Sequence, residues 1–509
     1  MRRSFVRRLA KAKFVVVAPL WAAFTIVVFA DPSRATNCAD VCPGSGACTI
    51  STTVDVDPGS EMDCAGRDVT VSGTGTLKVT DGDFILIAED IVIDGLVHAV
   101  EGVDEIPGSI DLDATGSITI AGKVRANGNS GGGTIALLSG SNILIPENGT
   151  DGIEADGTAA GASGGEITLE AAGSITIYDP IHVDGASGGD NQGGTIEITA
   201  HGDILTAQHG HLSAVGKVSG GGRIRIVSET GDVLLNEHVD VDGKGSVGDG
   251  GAVEVVAADR LEVGLGITAR GGVNAGGGQA VGGSVHLEGG CGGVAILASI
   301  SAVGGQLGTG FDGGEIVVDS GGDITVASGV VLDVHALATS GDGGSVELDA
   351  RDLVSIAGGA TLDVRGSTTA PGRGGSIRVA GCRVSVQSAA VLDATGATGG
   401  NVFAAARLVP PATGTQPLFV SRLGTLRAAG ASQATNGRIQ LAPLHLRKGT
   451  CSNDANLTCV LDTDCTVGCQ TGDCLLANPD IEGVVTQFDL VPGQFENRQL
   501  GTCPATCEQ

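Results

Sequence analysis

Along most of the chain apolar and polar residues alternate with a period of two, in runs of four or five positions separated by glycine. That alternation predicts short strands with one buried face, and the glycines predict the turns between them. Helical spacing is absent. The runs also recur. A glycine pair, or a glycine with a small neighbour, is followed by apolar residues at the second and fourth positions after it: Ile110 and Leu112, Ile135 and Leu137, Ile167 and Leu169, Ile196 and Ile198, Ile224 and Ile226. The series continues at Val253 and Val255, Val285 and Leu287, Ile316 and Val318, Val346 and Leu348, and Ile377 and Val379, then weakens at Val402 and Ala404. Eleven copies fall at intervals of 25 to 32 residues, which marks an internal repeat.

Each copy holds two further alternating runs, such as "SITI" at Ser174 and "IHVDG" at Ile181, or "LVSI" at Leu353 and "LDVRG" at Leu362. Three short strands per coil of about 30 residues, stacked on their equivalents in the next coil, predict an all-β fold, a right-handed parallel β-helix. Its interior would be ladders of Ile, Val and Leu, each side chain contributing roughly 1.5 to 3 kcal/mol on burial. Open strand edges at the ends of such a coil need cover, and the cysteines cluster there. The expected organisation is an export signal peptide at 1–35, a Cys-rich N-terminal cap at 36–70, β-helix repeats at 71–407, and a C-terminal cap with a Cys-rich tail at 408–509. Within the repeat, segments from 66 to 107 are expected to add one or two irregular coils.

Composition agrees with a repeat array. There are 86 glycines, ten Phe, one Trp and one Tyr in 509 residues, so the core must be aliphatic. Basic residues followed by the apolar run from Phe14 to Ala30 read as an export signal, with a cleavage point near Ser33 and Ala35. Arg2, Arg3, Phe5, Val6 and Arg7 resemble a bacterial twin-arginine signal. No later apolar run is long enough for a span, so no stable membrane span is expected after cleavage. A net charge of −29 argues against nucleic acid as a partner. Export gives thirteen cysteines an oxidising compartment in which to pair. Cys291 and Cys382 begin equivalent strands three repeats apart. That is roughly 14 Å at coil spacing, beyond the ~7 Å Cα separation a disulfide spans, so they are not expected to pair with each other.

The units "GGxIxLxA", "GDIxI" and "LDVxG" between residues 108 and 405 resemble the repeat region of filamentous-haemagglutinin-type bacterial exoproteins. The resemblance implies a β-helical surface or secreted protein with an adhesive or structural role. The "NPNG" motif of that family's secretion domain has no counterpart in this chain.

Candidate chemistry concentrates in the third strand of each coil. Between its two buried residues lies an outward position, filled in order by Arg125, Glu154, His182, Ser213, Asp240, Thr268, Ser301, Asp333, Asp363 and Asp393. In-register stacking would put Asp333, Asp363 and Asp393 in one file about 4.8 Å apart. Bound calcium or a raised pKa would relieve their repulsion, and a solvated ladder is the plainer alternative. Asp462 and Asp464, with Asp454 and Asp473 among the terminal cysteines, form a second candidate calcium cluster. "HGH" places His209 and His211 on one face if extended, a possible metal chelate. The expected function is a secreted or cell-surface structural or adhesive protein without catalytic activity, directed at host-surface, matrix or polysaccharide ligands. Its location would be extracellular or the outer cell surface, with the periplasm as the other compartment. Two alternatives accompany it. One is a polysaccharide lyase or hydrolase that uses the outward carboxylates with Arg365 or Arg351. The other is an extracellular calcium-binding matrix protein.

Overall fold

A computed structural model describes residues 37–80, 82–101, 107–147, 152–189, 191–245, 248–272, 280–305, 311–337, 340–369 and 371–406, together with segments between 418 and 482. The proposed signal at 1–35 and the acidic residues Asp454, Asp462, Asp464 and Asp473 lie outside the described residues.

The chain winds as an all-β parallel β-helix. Successive strands pass from a first sheet to a second and a third and then back to the first, so each sheet is a ladder of equivalent strands. Among the described residues these sheets contain 14, 15 and 14 strands. Register is kept residue for residue: Ile135 lies beside Ile110 and Ile167, and Leu137 beside Leu112 and Leu169. All eleven predicted pairs of the glycine-led run occupy the third sheet and point inward. Ile110, Ile135, Ile167, Ile196 and Ile224 are wholly buried in one continuous aliphatic core. The ladder extends beyond that series on both sides, through Ser60–Asp63 and Phe84–Ala88 before it and Arg438–Ala442 after it. The early coils are shorter: Val69 pairs with Ile91, whereas Ile175 pairs with Ile204.

Steric crowding explains the recurrent glycine pair. A Cβ at Gly313 would lie 1.7 Å from the carbonyl oxygen of Val334 in the next coil. One at Gly314 would lie 2.0 Å from that of Gly283 in the preceding coil. The backbone crosses there without room for a side chain. In return, the Gly314 N–H donates to the Ala302 carbonyl at 2.8 Å.

The coil corners explain much of the aspartate. Where ladder bonding lapses, a side-chain oxygen of one coil accepts the N–H of the equivalent residue in the next. Asp203 accepts from Asp232 N at 2.9 Å, Asp232 from Arg260 N at 3.0 Å, and Asp323 from Leu353 N at 3.0 Å. Before the third sheet Asp249, Asp312 and Asp342 do the same for Val281, Asp342 and Arg373 at 2.7 to 2.9 Å. All of these acids but Asp312 directly follow a glycine. Each supplies an acceptor that the corner backbone otherwise lacks.

At the N-terminal end the first coil, Cys48–Ile50, Thr53–Val56 and Ser60–Asp63, falls inside the segment expected to be only a cap. Before it runs a one-turn helix, Cys38–Val41, whose first N–H groups are capped by the Asn37 side chain. Disulfides Cys38–Cys64 and Cys42–Cys48 fasten it to the coil, with Cα separations of 5.3 and 5.4 Å. Arg67 donates to Gly46 O and Cys42 O, holding the intervening loop. Cys291 and Cys382 are also disulfide-bonded. They stand three rungs apart on the first sheet, so their bonds are separate ones. At the other end, Gly449–Cys451 pairs antiparallel with Thr458–Cys459 and Cys474–Leu475, which interrupts the coil pattern before Asp480–Glu482 adds a last parallel rung beside Thr425–Arg427. Among the described residues no helix is long and apolar enough to cross a membrane.

Candidate functional site

The outward column of the second sheet is in register over its whole length. Arg125 pairs with Glu154, Glu154 with His182, His182 with Ser213 and Ser213 with Asp240. Farther along, Ser301 pairs with Asp333, Asp333 with Asp363, and Asp363 with Asp393. The three-carboxylate file therefore exists as stacked neighbours.

Its environment is neither bare nor simply solvated. Only 10 % of the Asp363 side chain and 9 % of the Asp393 side chain are exposed. Each aspartate first serves its own corner: Oδ1 of Asp333, Asp363 and Asp393 accepts the backbone N–H two residues on, from His335, Arg365 and Thr395 at 3.2, 3.1 and 3.0 Å. Each is then matched by a basic side chain. Nδ1 of His335 lies 2.5 Å from Asp333 Oδ1 and 3.9 Å from Asp363 Oδ2. Arg365 grips Asp363 with Nε at 2.8 Å from Oδ1 and Nη2 at 2.6 Å from Oδ2. Arg427, next in the column, places Nη1 3.6 Å from Asp393 Oδ2. Repulsion among the carboxylates is thus offset by the protein's own cations, an answer that column spacing alone does not reveal.

The titration of His335 follows from these contacts. Burial alone would lower its pKa, but the hydrogen bond with Asp333 and the charges of Asp333 and Asp363 outweigh that, and the net shift is upward despite Arg365. The Arg365 pKa is likewise raised, chiefly by its hydrogen bond to Asp363.

Asp333, His335 and Asp363 bring one ligand atom each within 4.8 Å of the others. An imidazole nitrogen beside two carboxylates suits a zinc- or manganese-type ion better than calcium, which takes oxygen ligands. Both oxygens of Asp363 are already bonded to Arg365. A cation entering there has to displace the guanidinium. Arg351, the other basic residue considered with this column, is exposed at the corner preceding Leu353–Ile356.

A second cluster lies toward the N-terminal end of the same face. Glu154 is buried and accepts from Arg125 Nε at 2.6 Å, Asn127 Nδ2 at 3.0 Å and Lys123 Nζ at 3.3 Å. Two residues on, Asp156 accepts the Asp184 N–H at 2.7 Å. Burial pushes Asp156 up to about 6, with the neighbouring charges of Asp184 and Glu154 acting in the same direction. Beside them the rings of His182 and His211 meet edge to face at 5.0 Å. His211 is lowered by burial and by His182. The "HGH" pair is divided: His209 is exposed with Nε2 3.3 Å from Glu147, while His211 faces His182.

Sequence pattern located the aspartate column but underused the "x" of "LDVxG". That position is two residues beyond the aspartate, so period-two geometry puts it on the same outward face. Reading it as a column gives Asn127, Asp156, Asp184, Val215, Asp242, Arg270, Val303, His335, Arg365 and Thr395, which contains two of the three basic partners of the aspartate file, His335 and Arg365. No protein-family model, curated protein or solved structure matches this chain.

Proposed function

We propose that the protein is an exported, cell-surface or extracellular structural rod with an adhesive role and no catalytic activity, in keeping with its resemblance to filamentous-haemagglutinin-type exoproteins. One observation supports this best: the acids that first suggest chemistry are used by the wall. They accept corner N–H groups and pair with stacked cations, and what they leave at the surface is a long, regular, outward face. The basic and apolar leader and the disulfides at the first coil agree with export. Labelling intact cells with a membrane-impermeant amine reagent, with a cytosolic enzyme as control, tests the location. The chain should be labelled without lysis. Labelling only after the cells are broken would overturn the proposal.

One arrangement favours catalysis instead. Asp333 holds Nδ1 of His335, as a carboxylate orients an imidazole for proton transfer, and Arg365 stands beside it. On that second reading the rod is a polysaccharide lyase or hydrolase, and turnover of an acidic polysaccharide distinguishes it.

A further inference from the structure

The outer side of the aspartate–cation cluster opens on a cleft of about 420 Å³, lined among others by His335, Leu337, Arg365, Ser367, Thr369 and Thr395. Charge is layered across it. The Asp363 carboxylate lies beneath with 10 % of its side chain exposed, and the Arg365 guanidinium above with 48 %. Arg365 commits Nε and Nη2 to Asp363, and His335 commits Nδ1 to Asp333. Among the described residues, Nη1 of Arg365 and Nε2 of His335 have no protein partner, so both remain for a ligand. The rest of the lining is hydroxyl-rich: Ser367 and Thr369 are hydrogen-bonded to each other at 2.8 Å, and Thr395 stands one coil on. Leu337, 37 % exposed, supplies an apolar contact.

Within the column two residues beyond the aspartates, the pairing of basic side chains is local to this place. Arg270 occupies the same column, and it too places Nε and Nη2 on an aspartate, Asp242, at 3.0 and 2.6 Å. Its neighbours there are Asp242 and Val303, so no second cation adjoins it. Among the described residues, only at His335 and Arg365 do successive coils of the column both present basic side chains with donor capacity beyond their aspartates.

We infer that this cleft binds the carboxylate of an acidic saccharide, a uronate unit, with Arg365 and His335 on the carboxylate, the hydroxyl side chains on the ring hydroxyls, and Leu337 against ring C–H groups. A guanidinium recognises a carboxylate through paired N–H groups, and a few convergent polar groups beside an apolar contact are the usual make-up of a small-ligand cleft. The inference rests on the proposal that the rod is a surface binder, and it names the ligand class.

Calorimetric titration of the whole exported chain with a galacturonic acid oligomer tests it, with the methyl-esterified oligomer as control. Saturable binding is expected, at least tenfold weaker for the ester. The paired substitution Asp363→Asn with Arg365→Gln removes carboxylate and guanidinium together and strands no buried charge. It should weaken binding at least tenfold while the thermal transition stays cooperative. Arg365→Lys, which keeps the charge but not the fork, should weaken binding by a smaller factor. Arg223→Gln, on the third sheet, should leave binding unchanged. Equal affinity for acid and ester, no saturable binding, or full affinity in the paired variant would overturn the inference. A surface-labelled protein that fails to bind the oligomer leaves the adhesive proposal standing and removes only the cleft. A protein found inside the cell that binds it does the reverse.

Discussion

At the residue scale, aspartate has two employments in this wall. At the corners it accepts the N–H of the next coil, as Asp203, Asp232 and Asp323 do. On the second sheet it caps its own turn and takes a cation, as Asp363 does with Arg365. Asp156 also accepts the N–H of the next coil, from Asp184, but Asp184 and Glu154 adjoin it and no cation is bonded to it among the described residues. Its folded pKa of about 6 stands above the ordinary carboxylate value of 3.8. The folded state therefore holds that proton more firmly than the unfolded state. The contribution is full below about pH 3.8 and is lost as pH rises through about 6. Asp156→Asn should flatten the pH dependence of the denaturant midpoint between pH 4 and 6, as read by circular dichroism; an unchanged slope would contradict this. The Asp333–Asp363–Asp393 file was legible in the sequence because period-two alternation and in-register stacking fix which way each position faces. The balancing cations were less legible. Which way His335 and Arg365 face follows from the same alternation, but which carboxylate each side chain reaches depends on rotamers that no periodicity encodes.

At the scale of the strand and its turn, packing and steric exclusion define the coil. Eleven of the third-sheet strands could be read directly, since the glycines that precede them, paired in ten of the eleven, are forced by backbone crossing at 1.7 and 2.0 Å, as at Gly313 and Gly314. The earliest coils could not be counted in this way. Ser60–Asp63 and Phe84–Ala88 join the same sheet without a preceding glycine pair. Their shorter corners leave a weaker repeat signature. Gly314→Ala should therefore destabilise by about 3 kcal/mol or more, because a carbonyl oxygen in the backbone has to move. Ser345→Ala, on the outward side of the next coil, should stay within about 0.5 kcal/mol. Urea midpoints of the two variants provide the comparison. Equal midpoints would show that the crossing is not as tight as the geometry requires.

For the molecule as a whole, each coil rests chiefly on its two neighbours, so stability is distributed along the stack and the ends are its weak points. The Cys38–Cys64 and Cys42–Cys48 bonds hold the helix and loop over the first coil. Each such bond typically contributes about 2 to 4 kcal/mol. Under reducing conditions, amide exchange should quicken in Cys48–Ile50, Thr53–Val56 and Ser60–Asp63 and remain slow in Glu315–Ser320. Uniform quickening would mean that the stack opens as one unit. Fold class was legible because an internal repeat states its own architecture. Function was less so, since a β-helix constrains the inward positions and leaves the outward ones free to vary from coil to coil.

A binder and an enzyme on this scaffold share a cleft and differ in what becomes of the polymer. Incubating the purified chain with polygalacturonate, and following retained polymer and unsaturated or reducing-end products in the same sample, separates them. Retention that depends on Arg365, with no growth of product over time, is the predicted result; product that accumulates in proportion to protein and vanishes in His335→Gln would show that the rod is an enzyme.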